Sequence, residues 1–351
     1  MNYDNIFLKK VAKENGFNAG MLEKVLRLVD VLTFFNETPM LRDNLALKGG
    51  TALNLIVFNL PRLSVDIDLD FCKNVGRTEM LTSRELIKGE IMRYMTSQGY
   101  TLGSNTKNYH ALDSFEFFYQ NAAGNRDNLK IEINYMLRSH VFDCVNSTLR
   151  VDCLGLSVPI MSLSLIDLLG SKTAALINRG KPRDLYDFKN ILEADLINSK
   201  NIDIYRKTVA FYLAVSSQHI SLPISFENIE KISLQDIKKF LYPVIKARDH
   251  FNFSQTKEYV LSSLSDLIRF APGELQFLED FANNRYTPSL LFDDPAIIQR
   301  VQTHPMILWK LREKVSDDKR STLESVIENA SERVSPHNAP RNTLFKEDIF
   351  K

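Results

Sequence analysis

Asp66, Asp68 and Asp70 alternate with Val65, Ile67, Leu69 and Phe71 along Ser64–Phe71. That period of two predicts a strand with one apolar face and a row of carboxylates on the other. Like charges this close repel and raise one another's pKa unless something positive lies between them. A divalent cation is the usual answer. Mg²⁺ takes hard oxygen ligands, one or two carboxylates plus substrate phosphates, and two such ions can activate an attacking hydroxyl and stabilise a departing pyrophosphate. A third carboxylate on a neighbouring strand completes that chemistry. Glu132 suits it, lying on the polar side of the alternating run Leu129–Tyr135 with Ile131 and Ile133 on the other.

Upstream, Leu47-Lys48-Gly49-Gly50-Thr51 sets a glycine pair between a short strand, Leu45–Leu47, and a helix to about Phe58 that Thr51 can cap. Glycines there admit close approach of a phosphate, and the first turn of a helix favours an anion. An exposed edge strand could carry the same aspartates, and strand-to-helix turns are common. Their succession, one helix apart, is the uncommon feature.

Further along, Lys172 falls within the apolar arc of the helix Ser164–Asn178, beside Leu165, Leu168, Leu169 and Leu176. An ammonium there must snorkel or meet an anion. Pro182 opens the next helix, which carries Arg183, Asp184 and Asp187 at ion-pair spacing.

These motifs, KGGTALNL, RLSVDIDLDF, LKIEINY and SLIDLLGSKTAALINRGKPRDLYDF, resemble the AbiEii/AbiGii toxin family of the DNA polymerase β-like nucleotidyltransferase superfamily over about residues 45–190. The resemblance implies an NTP- and Mg²⁺-dependent transferase (two ions, with Mn²⁺ as an alternative) whose metal carboxylates are Asp66, Asp68 and Glu132. Glu132 stands where aspartate is commoner, leaving it as metal ligand or as base. Gly50 stands where many superfamily members have serine. Lys48, Gly49, Gly50, Thr51, Arg62, Ser64, Lys172, Arg183 and Asp184 are implied around nucleotide phosphates, with Asp187 orienting Lys172 or the acceptor. The biology implied is the toxin of a toxin–antitoxin or abortive-infection pair, with a cognate antitoxin and a tRNA 3′ end as acceptor. A small-molecule or protein acceptor, or a non-catalytic nucleotide-binding protein of the same fold, are the alternatives.

Around the motifs, the 351 residues suggest roughly two domains. A helix over Ala19–Phe35, a helix over Ser83–Gln98 and strands at Ser114–Gln120, Leu129–Tyr135 and Arg150–Leu154 give an α+β front half. This is a nucleotidyltransferase-type mixed sheet with flanking helices, through about residue 160. From there the period becomes 3.6, predicting a mostly α-helical C-terminal domain over residues 161–351 that brings Lys172 and RDLYD to the cleft. Its helices are placed at Ser164–Asn178, Pro182–Ala194, Ile204–Ser216, Leu234–Phe240, Gln255–Phe270, Glu274–Asn283 and Ile297–Val315, followed by a turn-rich tail from about Ser335. A formal net charge of +1 offers no global field for a polyanion, although Lys238, Lys239, Lys246 and Arg248 could form a local basic surface. Three cysteines without metal spacing, no apolar run of roughly 18 residues and no signal-peptide pattern suggest a cytoplasmic protein with no membrane partner.

Overall fold

The computed structural model describes residues 3–216 and 220–314. The tail from Ser335 lies outside them, as does the end of the helix expected to reach Val315. The chain opens with helices α1 (Asn5–Asn15) and α2 (Ala19–Glu37) and the short α3 (Pro39–Arg42). Asp4 and Asn18 side chains accept from Ile6 N and Met21 N to cap the first two. Strand β1 (Leu45–Leu47) then leads into α4 (Gly49–Ala52), which widens into a π-turn over Leu53–Val57.

Next come β2 (Asp66–Phe71), α5 (Arg77–Ser97), β3 (Thr101–Leu102), β4 (Lys107–Tyr109), β5 (Leu112–Gln120), β6 (Arg126–Asn134), β7 (Val145–Val151) and β8 (Leu156–Ser162). They form one mixed sheet in the order β3-β5-β6-β2-β1-β8-β7, with β4 also paired to β5. β2 is parallel to β6 and antiparallel to β1, which is itself parallel to β8. The α+β fold with a mixed central sheet is therefore as expected, but β3, β4 and β8 were not anticipated, and β7 begins before the expected Arg150.

From Leu165 the described chain is helical: α6 (Leu165–Arg179), α7 (Pro182–Glu193), α8 (Ile202–Val215), α9 (Glu227–Glu230), α10 (Leu234–Phe240), α11 (Phe253–Leu267), α12 (Pro272–Ala282), α13 (Pro295–Gln302) and α14 (Pro305–Lys314). The single helix expected from Ile297 is two, because Pro305 follows His304 and a proline excludes the preceding residue from helical backbone. α4 packs against both α6 and α7. The segment after α10 returns to the front half: Val244 and Leu63 share a backbone hydrogen bond of 2.8 Å, and Arg62 bridges Ile245. Ile67, Leu69, Phe71, Ile131, Ile133 and Phe115 fill the apolar face of the central strands. The opposite face carries Asp66, Asp68 and Glu132.

Candidate active site

β2 lies mid-sheet, so the side-chain alternation puts Asp66, Asp68 and Asp70 on one face and buries Ile67 and Leu69 on the other. Strand register sets Asp68 opposite Glu132 and Asp66 opposite Lys130. The three expected carboxylates thus meet on one surface, which remains open: the Asp66 side chain is 42% exposed and that of Glu132 29%. Withdrawal from water, with Asp66 and Glu132 adding their repulsion, holds the Asp68 carboxyl above its ordinary range despite the pull of Lys48 and Lys172.

Asp70 is different. It is buried, and its carboxylate accepts from Lys48 Nζ. Burial, offset only in part by that ammonium, pushes its pKa up to about 6.

The glycine turn lies directly under the carboxylates. Gly49 has φ +67°, a left-handed backbone that glycine adopts without strain. A Cβ there would stand 2.9 Å from Asp68 Oδ2, and one on Gly50 would stand 2.6 Å from Arg62 Nη2 and 3.4 Å from Ser64 Oγ. Lys48 N donates to the Asp68 carbonyl at 2.9 Å, tying the turn to the strand. Thr51 does not cap the helix, since Lys48 holds the cap position. Its hydroxyl instead bonds Ser64 Oγ at 2.9 Å and donates to the Asp66 carbonyl. Ser64 accordingly steadies the backbone of Asp66 through Thr51 and does not touch its carboxylate.

The cations expected to face phosphate are turned to carboxylates. Arg62 is buried and grips Asp187 with two bonds of 2.7 Å, Nε to Oδ1 and Nη2 to Oδ2. Lys172, also buried, donates to Asp184 at 3.0 Å and Asp187 at 2.6 Å. Arg179 adds bonds of 2.7 and 3.0 Å to Asp184. Asn54 donates to Asp187 at 3.2 Å and to the Gly50 carbonyl at 2.8 Å, so the RDLYD motif braces the back of the glycine turn. Burial alone would raise both carboxyls, but Arg62 and Lys172 hold Asp187, and Lys172 and Arg179 hold Asp184, below the usual range. Leu165, expected beside Lys172 in the apolar arc, is 40% exposed, whereas Leu168, Leu169 and Leu176 are buried.

Arg183 does not pair with Asp187 four residues on. Its Nε donates to the Phe240 carbonyl at 3.0 Å, and Nη1 stands 3.8 Å from Asp66 Oδ2. Lys130, Asn54 and Arg179 were missed by the sequence reading. Lys130 was accessible to it, being two residues before Glu132 and so on the same strand face; the other two depend on how α6 and α7 dock.

Among the described residues, no three His, Cys, Asp or Glu side chains close around a single point as a preformed metal cage. Asp66, Asp68 and Glu132 nonetheless fit Mg²⁺ in donor type. It binds through a few carboxylate oxygens and keeps water and phosphate in its remaining positions. Burial first, and then repulsion from Asp66 and Glu132, raise the Asp68 pKa, and a cation there would offset both.

A family model described as nucleotidyl transferase AbiEii toxin, type IV toxin–antitoxin system, matches residues 34–271, a span holding the glycine turn, all three carboxylates and RDLYD. The chain belongs to this family. AbiEii membership makes it a nucleotidyltransferase toxin and implies a nucleotide substrate and an antitoxin partner. Among solved structures, it is similar to MenT4, a nucleotidyltransferase toxin of Mycobacterium tuberculosis H37Rv, at 15% identity and a TM-score of 0.55, covering 82% of this chain and 100% of that one. At that identity the likeness speaks to the fold. No curated protein matches in sequence. Among the described residues, no helix is long and apolar enough to cross a membrane.

Proposed function

We propose that this AbiEii toxin transfers a nucleoside monophosphate from an NTP to the 3′ end of an RNA, with tRNA as the acceptor, in the cytoplasm. The acceptor hydroxyl oxygen bonds to the α-phosphorus, the bond from that phosphorus to the bridging oxygen breaks, and pyrophosphate leaves. One observation carries the reading: Asp68 faces Glu132 across parallel strands, with Asp66 beside it and the Gly49 turn beneath.

Asp66 and Asp68 would hold Mg²⁺, two ions or Mn²⁺ in its place, and Glu132 would complete the site or take the acceptor's proton. Bound there, the metal would neutralise polyphosphate charge and sharpen the acceptor oxygen as a nucleophile. Gly49 and Gly50 seat terminal phosphates at the first turn of α4, whose N–H groups have no partners within the helix. Arg183, poised near Asp66, meets the polyphosphate from the helical side. Lys172 and Arg62, through Asp187, keep that side aligned. Basic, exposed Lys238, Lys239, Lys246 and Arg248 lie along the chain on either side of Phe240, whose carbonyl holds Arg183. A backbone-binding surface for RNA there would be salt-sensitive.

Purified protein is incubated with Mg²⁺, total tRNA and each α-³²P-labelled NTP, beside Asp68→Ala. Label entering tRNA with wild type alone supports both reaction and acceptor. Absence of label in RNA removes the tRNA reading and directs the search to protein and small-molecule acceptors.

A further inference from the structure

Three of the cations nearest the cleft are already neutralised: Lys48 by Asp70, Arg62 by Asp187, and Lys172 by Asp184 and Asp187. Lys130 is not held in that way. It lies directly across from Asp66 in the register of β2 and β6, and shares a strand face with Glu132 two residues on. Its ammonium contacts Glu132 Oε1 at 2.9 Å, yet its side chain is 43% exposed. An exposed pair of this kind is weak and easily exchanged. The sheet face would otherwise carry Asp66, Asp68 and Glu132 side by side, and like charges directly opposite destabilise a strand pair.

We propose that Lys130 is an exchangeable counter-cation of the carboxylate site. In the metal-free protein it occupies Glu132 and screens Asp66 and Asp68. When a divalent ion takes those oxygens, the ammonium is displaced on its flexible four-carbon stem and becomes a phosphate contact for the incoming NTP from the sheet side. Arg183 flanks Asp66 from the helical side, 3.8 Å away. The polyphosphate then passes between two partly exposed cations, one from each half of the chain. This inference rests on the metal reading given under Proposed function, and the test separates the two.

Mn²⁺ is titrated into the full-length protein without nucleotide, and the free ion is followed by its electron paramagnetic resonance signal. The variants are Lys130→Met, Lys130→Arg and Asp68→Asn. If Lys130 competes with the metal, Lys130→Met binds Mn²⁺ about five- to tenfold more tightly, the scale of one half-exposed charge a few ångströms away. Lys130→Arg, which keeps the charge, stays near wild type, and Asp68→Asn binds more weakly. At saturating Mn²⁺, Lys130→Met should also raise the KM for NTP about tenfold with a smaller change in kcat, the sign of lost ground-state binding. Unchanged Mn²⁺ affinity or an unchanged KM in Lys130→Met, with Asp68→Asn still weakened, overturns the role of Lys130 and leaves the metal site standing. Unweakened binding in Asp68→Asn removes the metal site itself and Lys130's role with it.

Discussion

Arg62 and Asp187, 125 residues apart in sequence, form a buried two-pronged ion pair with both N···O distances at 2.7 Å. Arg62 precedes the carboxylate strand, and Asp187 lies on the helix of the RDLYD motif. Lys172 and Asn54 converge on the same carboxylate from α6 and from the end of the glycine turn. The pair therefore ties the segment leading into the carboxylate strand to the helix of the RDLYD motif. Paired planar groups of this type fix geometry more firmly than a lysine would.

Asp187→Ala leaves Arg62 buried without its carboxylate and Lys172 with Asp184 alone. Breaking a buried pair from one side costs about 3–5 kcal/mol, so a loss of that size is expected in urea-induced unfolding. Asp187→Asn, which keeps hydrogen-bond acceptors but not charge, should lose less. If the alanine variant unfolds with the wild-type midpoint, the cluster does not brace the fold.

The carboxylates were legible in the sequence because a strand's period of two decides which side chains share a face, whatever surrounds it. Partner choice was not, since it depends on docking. Arg62 could have met phosphate, but the approach of α7 gives it Asp187. Arg183, at ion-pair spacing from Asp187 and expected near phosphate, is drawn to the Phe240 carbonyl, a partner 57 residues away. Strand β8 was hidden for another reason. Pro159 interrupts its pattern and cannot donate to the ladder, yet the strand still pairs with β7 and reaches β1 at Ser162. The glycine pair was read as a phosphate seat, and its first physical requirement proves to be the closeness of the Asp68 carboxylate and the Arg62 guanidinium.

On the proposed metal site, Asp68→Asn should retain the fold and lose transfer by more than about 100-fold. Even the outer partners of metal ligands are worth 10–100-fold. Removal of divalent ions with EDTA should do the same to the wild type, and added Mg²⁺ should restore it. Undiminished single-turnover transfer in EDTA would rule out a metal-dependent step.

Gly49→Ala combines a left-handed φ with a contact of 2.9 Å to Asp68 Oδ2. The backbone strain costs about 1–2 kcal/mol, visible as a modest drop in melting temperature. The larger consequence should be chemical, because relief comes most readily by moving the Asp68 side chain. Transfer should fall at least about tenfold, the rate equivalent of 1.36 kcal/mol. Gly50→Ala presses on Arg62 and should lose more stability than Gly49→Ala. Equal effects of the two substitutions on both readouts would contradict this division.

Asp167 offers a pH test outside the three proposed metal carboxylates. It is buried and accepts from Val141 N, Phe142 N, Ser164 Oγ and Tyr212 OH, yet burial pushes its pKa up to about 6. Its unfolded value is about 3.9, so over this interval the native state binds the extra proton. The corresponding stability is fully present below about pH 4 and is lost as the pH rises through about 6, up to roughly 3 kcal/mol in all. Asp167→Asn cannot titrate and should remove that part of the slope. Thermal midpoints recorded from pH 4 to 7.5 should therefore fall more steeply for wild type than for Asp167→Asn. Parallel profiles would mean that the four donors, and not burial, govern this carboxyl.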